Sequence, residues 1–399
     1  MGSDRYIVSI VVATHNRSGY AIACVQSLLD INSEKIQVVV HDTSNDDCKL
    51  AAWIKQNPHP RLNYVHWQER LSMTENHERA IRLAEGEYVC LIGDDDTVSS
   101  YVVEVSQFAK ANDIDMLTPI AKAAYYWPDF RTKNYGAAHA GKIYISEFNC
   151  ALSKFNLNER LSLALSAACQ GTDGMPKLYH GLVRRQLLNQ IVCNDGVLLH
   201  GASPDMSASV GLSLLGGTYH LLDFPFTMPG GGGNSNSGRS ATGKHKGNLK
   251  DDPHLTPFKN LNWPESIPNF FSVETVWGHA AWETLVWHSS LTGFNFARLY
   301  ALCLFHHPDY LKETIKAWRS AKKKNTIENL AALDVIKELT FVIARFVAAK
   351  FKRILHPGPS NGAYVIGTAS DVFLARKKLD DYLQKRLTKQ PISSWVLTE

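Results

Sequence analysis

The chain lacks what a disulfide or zinc framework needs. Its seven cysteines are scattered, odd in number and never arranged as CxxC, which argues against both frameworks and fits a reducing, cytoplasmic compartment. No stretch approaches the ~18 uninterrupted apolar residues of a spanning helix. The first apolar run, in MGSDRYIVSIVV, has no basic region ahead of it and breaks at Thr14. It reads as a first strand rather than a signal peptide. Charge of one sign is also scarce: a net +4 over 399 residues gives little support to an anionic partner and none to nucleic acid. Histidine forms neither HExxH nor an i, i+4 helical pair, so His279, His288, His306 and His307 read as ordinary core or surface residues. There is no internal repeat. What remains is 45% hydrophobic and 20% charged, an ordinary globular composition, with enough length for two or more domains.

The first half alternates strand and helix signals. Tyr6 to Ala13 is a buried-type strand, and Ala21, Ile22, Val25, Leu28 and Leu29 mark one face of a helix starting near Ser18. Strands follow at 37–41 and 62–66, with a short helix over 51–56 between them. Ser72 and Glu75 have capping-box spacing at the start of a helix reaching about Ala84. Gly86 ends it, and a strand over 87–92 leads into Asp94, Asp95 and Asp96. This order predicts a largely parallel, doubly wound α/β sheet, in which ligands bind beyond the carboxyl ends of the strands. The polar clusters THNR, HDTSNDD and GDDD all fall at those ends.

Three adjacent carboxylates repel one another, and burying them is costly without a cation or donors. Their hard oxygens suit Mg²⁺ or Mn²⁺. A helix starting near Ser99 offers the other reading, in which one aspartate is only a cap. Taken together, SIVVATHNR, VVVHDTSNDD and GEYVCLIGDDD resemble the family 2 glycosyltransferases of GT-A fold over roughly residues 5 to 115. The resemblance implies a Rossmann-like, mostly parallel sheet with helices on both faces. It also implies an inverting, metal-dependent transfer of sugar from a nucleotide-diphospho-sugar, UDP-sugar by default. On it, Thr14, Asn16 and Arg17 lie beside the nucleotide, Asp42 accepts a hydrogen bond from the base, and Asp94 faces the ribose or sugar. Asp95 joins the nucleotide-sugar site and Asp96 ligates the metal, Mn²⁺ or Mg²⁺. Taken alone, Asp42 also reads as a turn aspartate bonding its own backbone, Asn16 as a helix-entry residue and Arg17 as a solvated charge.

The resemblance further implies an acidic general base opening a helix well downstream. Asp205, in GASPDMSASVGLSLL, fits best, although Pro-Asp stands where the family has a paired acidic motif. An ordinary helix-start aspartate is the alternative, and Asp173 and Asp195 are lesser candidates. The run PGGGGNSNSGRSATGKHKG, 229–247, is too polar to pack and reads as a mobile loop that cannot form a strand. Its GRSATGKH nearly matches a P-loop, but His245 stands where the metal-binding hydroxyl belongs. Two readings stay open for it: a lid carrying Arg239, Lys244, His245 and Lys246 over the diphosphate, or a basic linker.

Beyond Pro268 the pattern is helical, with helices near 272–291, 294–305, 309–323, 327–355 and 369–388. Trp277, Trp282 and Trp287 read as core rather than sugar-stacking residues. The expected division is a catalytic domain over 1–265 and a helical C-terminal region over 266–399. The segment 334–355 is basic and amphipathic, suited either to an anionic membrane surface or to packing on the catalytic domain. The expected partners are a nucleotide-sugar donor and a glycan or lipid-linked acceptor in bacterial capsule or O-antigen synthesis, without nucleic acid, in the cytoplasm or at the inner face of the plasma membrane. The competing class is a catalytically inactive GT-A-like module that binds glycan or scaffolds an assembly.

Overall fold

A computed structural model describes residues 5–46, 48–233, 246–252, 255–259, 261–323, 330–355, 363–395 and 397–398. The alternating pattern of the first hundred residues folds as the sequence predicts. Strands β1 (Val8–Thr14), β2 (Ile36–Asp42), β3 (Leu62–His66) and β4 (Tyr88–Ile92) alternate with helices α1 (Ser18–Leu29), α2 (Lys49–Gln56) and α3 (Met73–Arg82). Every residue of β1, β2 and β4 is buried, as expected of strands covered on both faces. The Ser72–Glu75 capping box is formed, with both reciprocal bonds present at the start of α3.

Next come β5 (Thr97–Val98), α4 (Val102–Ala111), β6 (Met116–Pro119), β7 (Ala123–Tyr126), β8 (Lys142–Ile145) and β9 (Leu152–Lys154). They are followed by α5 (Leu157–Ser166), β10 (Leu182–Arg184), α6 (Arg185–Asp195), α7 (Pro204–Leu215), β11 (Tyr219–Leu222), β12 (Thr227–Met228) and β13 (Gly230–Gly231). The C-terminal part supplies α8 (Val273–Trp287), α9 (Phe296–His306), α10 (Leu311–Lys323), α11 (Ala332–Leu355), β14 (Tyr364–Thr368), α12 (Val372–Leu387) and β15 (Leu397–Thr398).

The main sheet runs β15-β9-β11-β6-β10-β4-β1-β2-β3. It is parallel from β4 to β3. Beyond β4 it turns mixed, because β10 enters antiparallel between β4 and β6. The fold is therefore the expected α/β architecture with a helical C-terminal region, its sheet parallel over β4 to β3 and mixed beyond. A smaller sheet, β13-β7-β8-β14, stands beside it.

Two expectations need correction. The glycine run does make a strand: Gly230–Gly231 pairs parallel with Tyr125–Tyr126, since glycine lets two backbones meet closely. A Cβ on Gly230 would stand 1.8 Å from the Asp95 carbonyl oxygen. The helix after the triplet starts at Val102 rather than near Ser99, and Tyr101 at its N-cap makes no side-chain cap bond. None of the three aspartates caps it, so the capping explanation for the triplet falls away.

Candidate active site

Strand register sets the site. Thr14 ends β1 opposite Asp42 of β2, whereas β4 pairs with β1 only as far as Val12 opposite Ile92. The chain after β4 thus climbs past Gly93 and brings Asp94 level with Thr14, whose Oγ1 donates to Asp94 Oδ2 at 2.6 Å. Arg17, from the turn into α1, reaches across with Nη1 2.5 Å from Asp94 Oδ1 and Nη2 3.1 Å from Asp95 Oδ2. Its guanidinium lies over the Tyr20 ring, 4.7 Å from the centroid.

The other donors come from far along the chain. Asp95 Oδ2 accepts from the Gly232 amide at 2.9 Å. Asp96 Oδ1 accepts from the Gly230 amide at 2.6 Å. Asp96 Oδ2 accepts from the Gly93 amide at 2.6 Å and the Tyr179 hydroxyl at 2.9 Å, and His180 Nε2 lies 3.0 Å away. All three aspartates are nearly inaccessible, at 2 to 4%. Burial pushes Asp94 up, against the pull of Arg17 and Thr14. Burial and the Asp96 charge take Asp95 up to about 7. Asp96 is held below the usual carboxylate range because His180 and the two glycine amides outweigh its burial. The member held lowest is thus the one with the most donors.

As arranged, Asp96 does not fit the metal-ligand role expected of it. Four protein groups already meet its oxygens, about the number of lone-pair positions a carboxylate offers. Among the described residues, no three His, Cys, Asp or Glu side chains converge as a ligand set.

The triplet lines a cleft of about 390 Å³ together with Thr14, Arg17, Arg70, His180 and Asp205. Asp205 sits in the first turn of α7, behind the Ser203 cap and Pro204. Burial raises it to about 6, with the Asp96 charge adding and His180 and Lys177 opposing. It also lines an adjoining cleft of about 310 Å³, bounded by Lys122, Thr172, Lys177 and Ser209. Asp205, Tyr179, His180 and Pro229 belong to both.

Other expected site residues stand apart. Asp42 does not line the cleft and is 1% exposed. It makes the turn-aspartate bond, accepting from the Ser44 amide at 2.8 Å, and also accepts from the Tyr64 hydroxyl at 2.9 Å. Asn16 is left-handed at φ 53° and ties two loops together by accepting from the Asn45 amide at 2.8 Å. Both shape the strand ends rather than face the cleft. Asp173 is exposed and lies 3.4 Å from Lys177. Arg239, Lys244 and His245 lie outside the described residues, as does the side chain of Asp195. Lys246 is pinned 2.6 Å from Asp309.

The sequence reading missed Tyr179, His180 and the amides of Gly230 and Gly232. The one available signal was that Tyr-His precedes a glycine, Gly181, in KLYHG.

The sequence model for glycosyl transferase family 2 matches residues 9–158. Glycosyltransferase GlyG of Streptococcus pneumoniae serotype 4 is 24% identical over 115 residues, which are 28% of this chain and 38% of the relative. The "Putative colanic acid biosynthesis glycosyl transferase WcaA" of Escherichia coli K12 is 32% identical over 91 residues, 23% of this chain and 33% of the relative. The chain therefore spans little more than a third of the length of these relatives. Among solved structures, S. aureus TarS 1-349 in complex with UDP-GlcNAc superposes with a TM-score of 0.49 at 14% identity, over 86% of this chain and 92% of that one. The same protein in complex with UDP gives 0.41 at 18% identity, over 56% and 60%. Over residues 9–158, the stretch that holds the strand order and the acidic strand end described above, this chain is similar to glycosyl transferase family 2.

Proposed function

We propose that the protein transfers a sugar, with inversion, from a nucleotide-diphospho-sugar to a hydroxyl of a glycan or lipid-linked glycan, with Asp205 as general base. The carrying observation is the place of Asp205 on the wall common to two clefts. A single displacement needs a carboxylate that reaches the acceptor hydroxyl on one side while the anomeric carbon lies on the other. The acceptor oxygen bonds to the anomeric carbon as the bond to the diphosphate oxygen breaks. The proton goes to Asp205, and the electron pair leaves with the diphosphate. A carboxylate raised to about 6 is ionised at neutral pH yet more basic than an ordinary aspartate, which suits the task.

The donor is assigned to the cleft that holds Arg17 and the triplet, with a UDP-sugar as the first to try. Arg70 lines that cleft and Lys177 the adjoining one. Arg70, in the donor cleft, is the cation proposed to meet the diphosphate, and no step is routed through a metal. Bacterial polysaccharide synthesis is the proposed context; WcaA's name gives colanic acid biosynthesis for that protein.

The test is a thermal-shift screen of nucleoside diphosphates with EDTA or Mn²⁺, followed by a transfer assay. The expected outcome is stabilisation by one nucleoside diphosphate. Asp205→Asn should keep that shift while losing transfer by roughly 10²–10⁴-fold. Transfer at the wild-type rate in Asp205→Asn removes the base. No transfer by the wild type with any donor leaves a binding module. A shift seen only with Mn²⁺ shows that Asp96 exchanges its protein donors for a metal on binding.

A further inference from the structure

Helix α11 has one face that the fold uses and another that it leaves open. On the used face, Val342 is buried and Glu338 pairs with Arg298 and accepts from Asn295 Nδ2 at 2.8 Å. Phe346 packs edge-on against Phe305 of α9, with centroids 5.2 Å apart. The open face carries Leu333, Ile336, Ile343, Val347 and Phe351, each 42 to 62% exposed. These positions, with Thr340 between, are three or four residues apart and so form one continuous stripe. The only hydroxyl in it, Thr340 Oγ1, donates to the Ile336 carbonyl at 3.0 Å, so the stripe can leave water without stranding a polar group. A stripe of this length is more than the scattered exposure a soluble surface usually shows.

Charge identifies the occupant. The acidic residues of α11 are both in its first two turns, where Glu338 is held by Arg298. From Thr340 to Leu355 the sequence has Arg345, Lys350, Lys352 and Arg353 and no acidic residue. The Lys350 ammonium lies 5.4 Å from the Phe346 ring centroid, and the Arg345 guanidinium 5.8 Å from that of Phe341. Apolar stems and rings alongside cationic heads are the arrangement of a helix lying in a bilayer interface. A second copy laid on this stripe would bring like charges together. No described helix is long and apolar enough to cross a membrane, so contact would be along the surface.

We propose that the open face of α11 docks the protein on an anionic lipid bilayer, with Leu333, Ile336, Ile343, Val347 and Phe351 entering the acyl boundary and Lys337 and Lys350 meeting lipid phosphates. This stands independently of the sugar-transfer reading.

The test is flotation of the full chain with vesicles of phosphatidylcholine alone or mixed with phosphatidylglycerol. The expected result is binding to the mixed vesicles only, weakened by salt. Two variants, Ile343→Glu/Val347→Glu/Phe351→Glu and Lys337→Glu/Lys350→Glu, should each reduce it by roughly tenfold or more, with melting unchanged because the positions are exposed. No binding to mixed vesicles, or equal binding by either well-folded variant, overturns the proposal. So does a wild-type dimer or larger assembly in light scattering that the first variant turns into a monomer, which assigns the face to a second copy.

Discussion

At the scale of single residues, the acidic strand end is held by Arg17 and a set of donors. Arg17 meets Asp94 and Asp95 where both are nearly inaccessible. Burial acts to lower its charge affinity, but the two carboxylates outweigh it and hold the guanidinium charged. Removing one partner of a buried pair leaves the other uncompensated. Arg17→Ala should therefore cost about 3 kcal/mol of stability at pH 8. Asp94 and Asp95 already sit above the normal carboxylate range, so protonation relieves them and the loss should shrink towards pH 5. Urea unfolding at the two pH values measures this, and a pH-independent loss would show that Arg17 is held by packing alone.

Asp205 yields a second sign. Its pKa rises on folding from 3.8 to about 6, so ionisation favours the unfolded chain. The stability it contributes is fully present below 3.8 and is lost as pH rises through about 6. Asp205→Asn should melt above the wild type at pH 8, by about 1–2 kcal/mol after allowance for partial exposure, and level with it at pH 4. An ordinary helix-start aspartate would show the reverse, since its charge favours the helix. In the active wild type, kcat/KM should climb to a plateau above about pH 6. Thr14, Arg17, the triplet and Asp205 could be read from the sequence because each has a local marker, a strand end or a helix start. Tyr179, His180, Gly230 and Gly232 reach the triplet from 83 to 137 residues away, and no local pattern carries that information.

At the scale of elements, the strap Pro229–Gly232 links the small sheet to the site. Gly230 gives its amide to Asp96 and pairs with Tyr125, while Trp127 Nε1 donates to the Asp95 carbonyl at 2.9 Å. Strand β13 thus fixes β7 and the triplet to each other. A methyl on Gly230 would collide with backbone rather than with a movable side chain. Gly230→Ala should displace the strap, free Asp96 from one donor and weaken nucleotide binding at least about tenfold, the worth of one charge-assisted hydrogen bond. Isothermal titration with the nucleoside diphosphate found above would show it, and unchanged affinity would make the strap only a packing feature. Buried periodic strands and a capping box announce themselves in sequence. A strand made of glycine has no side-chain pattern to read, so such a polar run carries only the signal of a loop. The antiparallel β10, three residues long, was hidden by its shortness.

At the scale of the molecule, the helical C-terminal region returns to the first core. Helix α12 lies against α1, and Val372, Ala375, Leu379, Leu383 and Leu387 are buried in the cluster that also contains β1, β2 and β4 residues. Polar contacts fix its position: Arg376 pairs with Asp30 beyond α1 and with Asp380, and Asp380 Oδ1 accepts from the Ser99 hydroxyl at 2.7 Å and the Ser100 amide at 3.0 Å. The same helix therefore braces the chain just after the triplet. Of these, Val372, Leu379, Leu383 and Leu387 contribute about 2 kcal/mol each, a sum comparable with the roughly 5–15 kcal/mol that typically separates folded from unfolded domains. Deleting residues 363–399 should then abolish cooperative unfolding of the N-terminal domain and expose the apolar back of α1. Leu379→Ala alone should cost about 2–4 kcal/mol through the cavity it leaves. Calorimetry of both variants decides the matter. If the truncated chain unfolds cooperatively at the wild-type midpoint, α12 is an accessory, and the N-terminal domain carries its core without help from the C-terminal region.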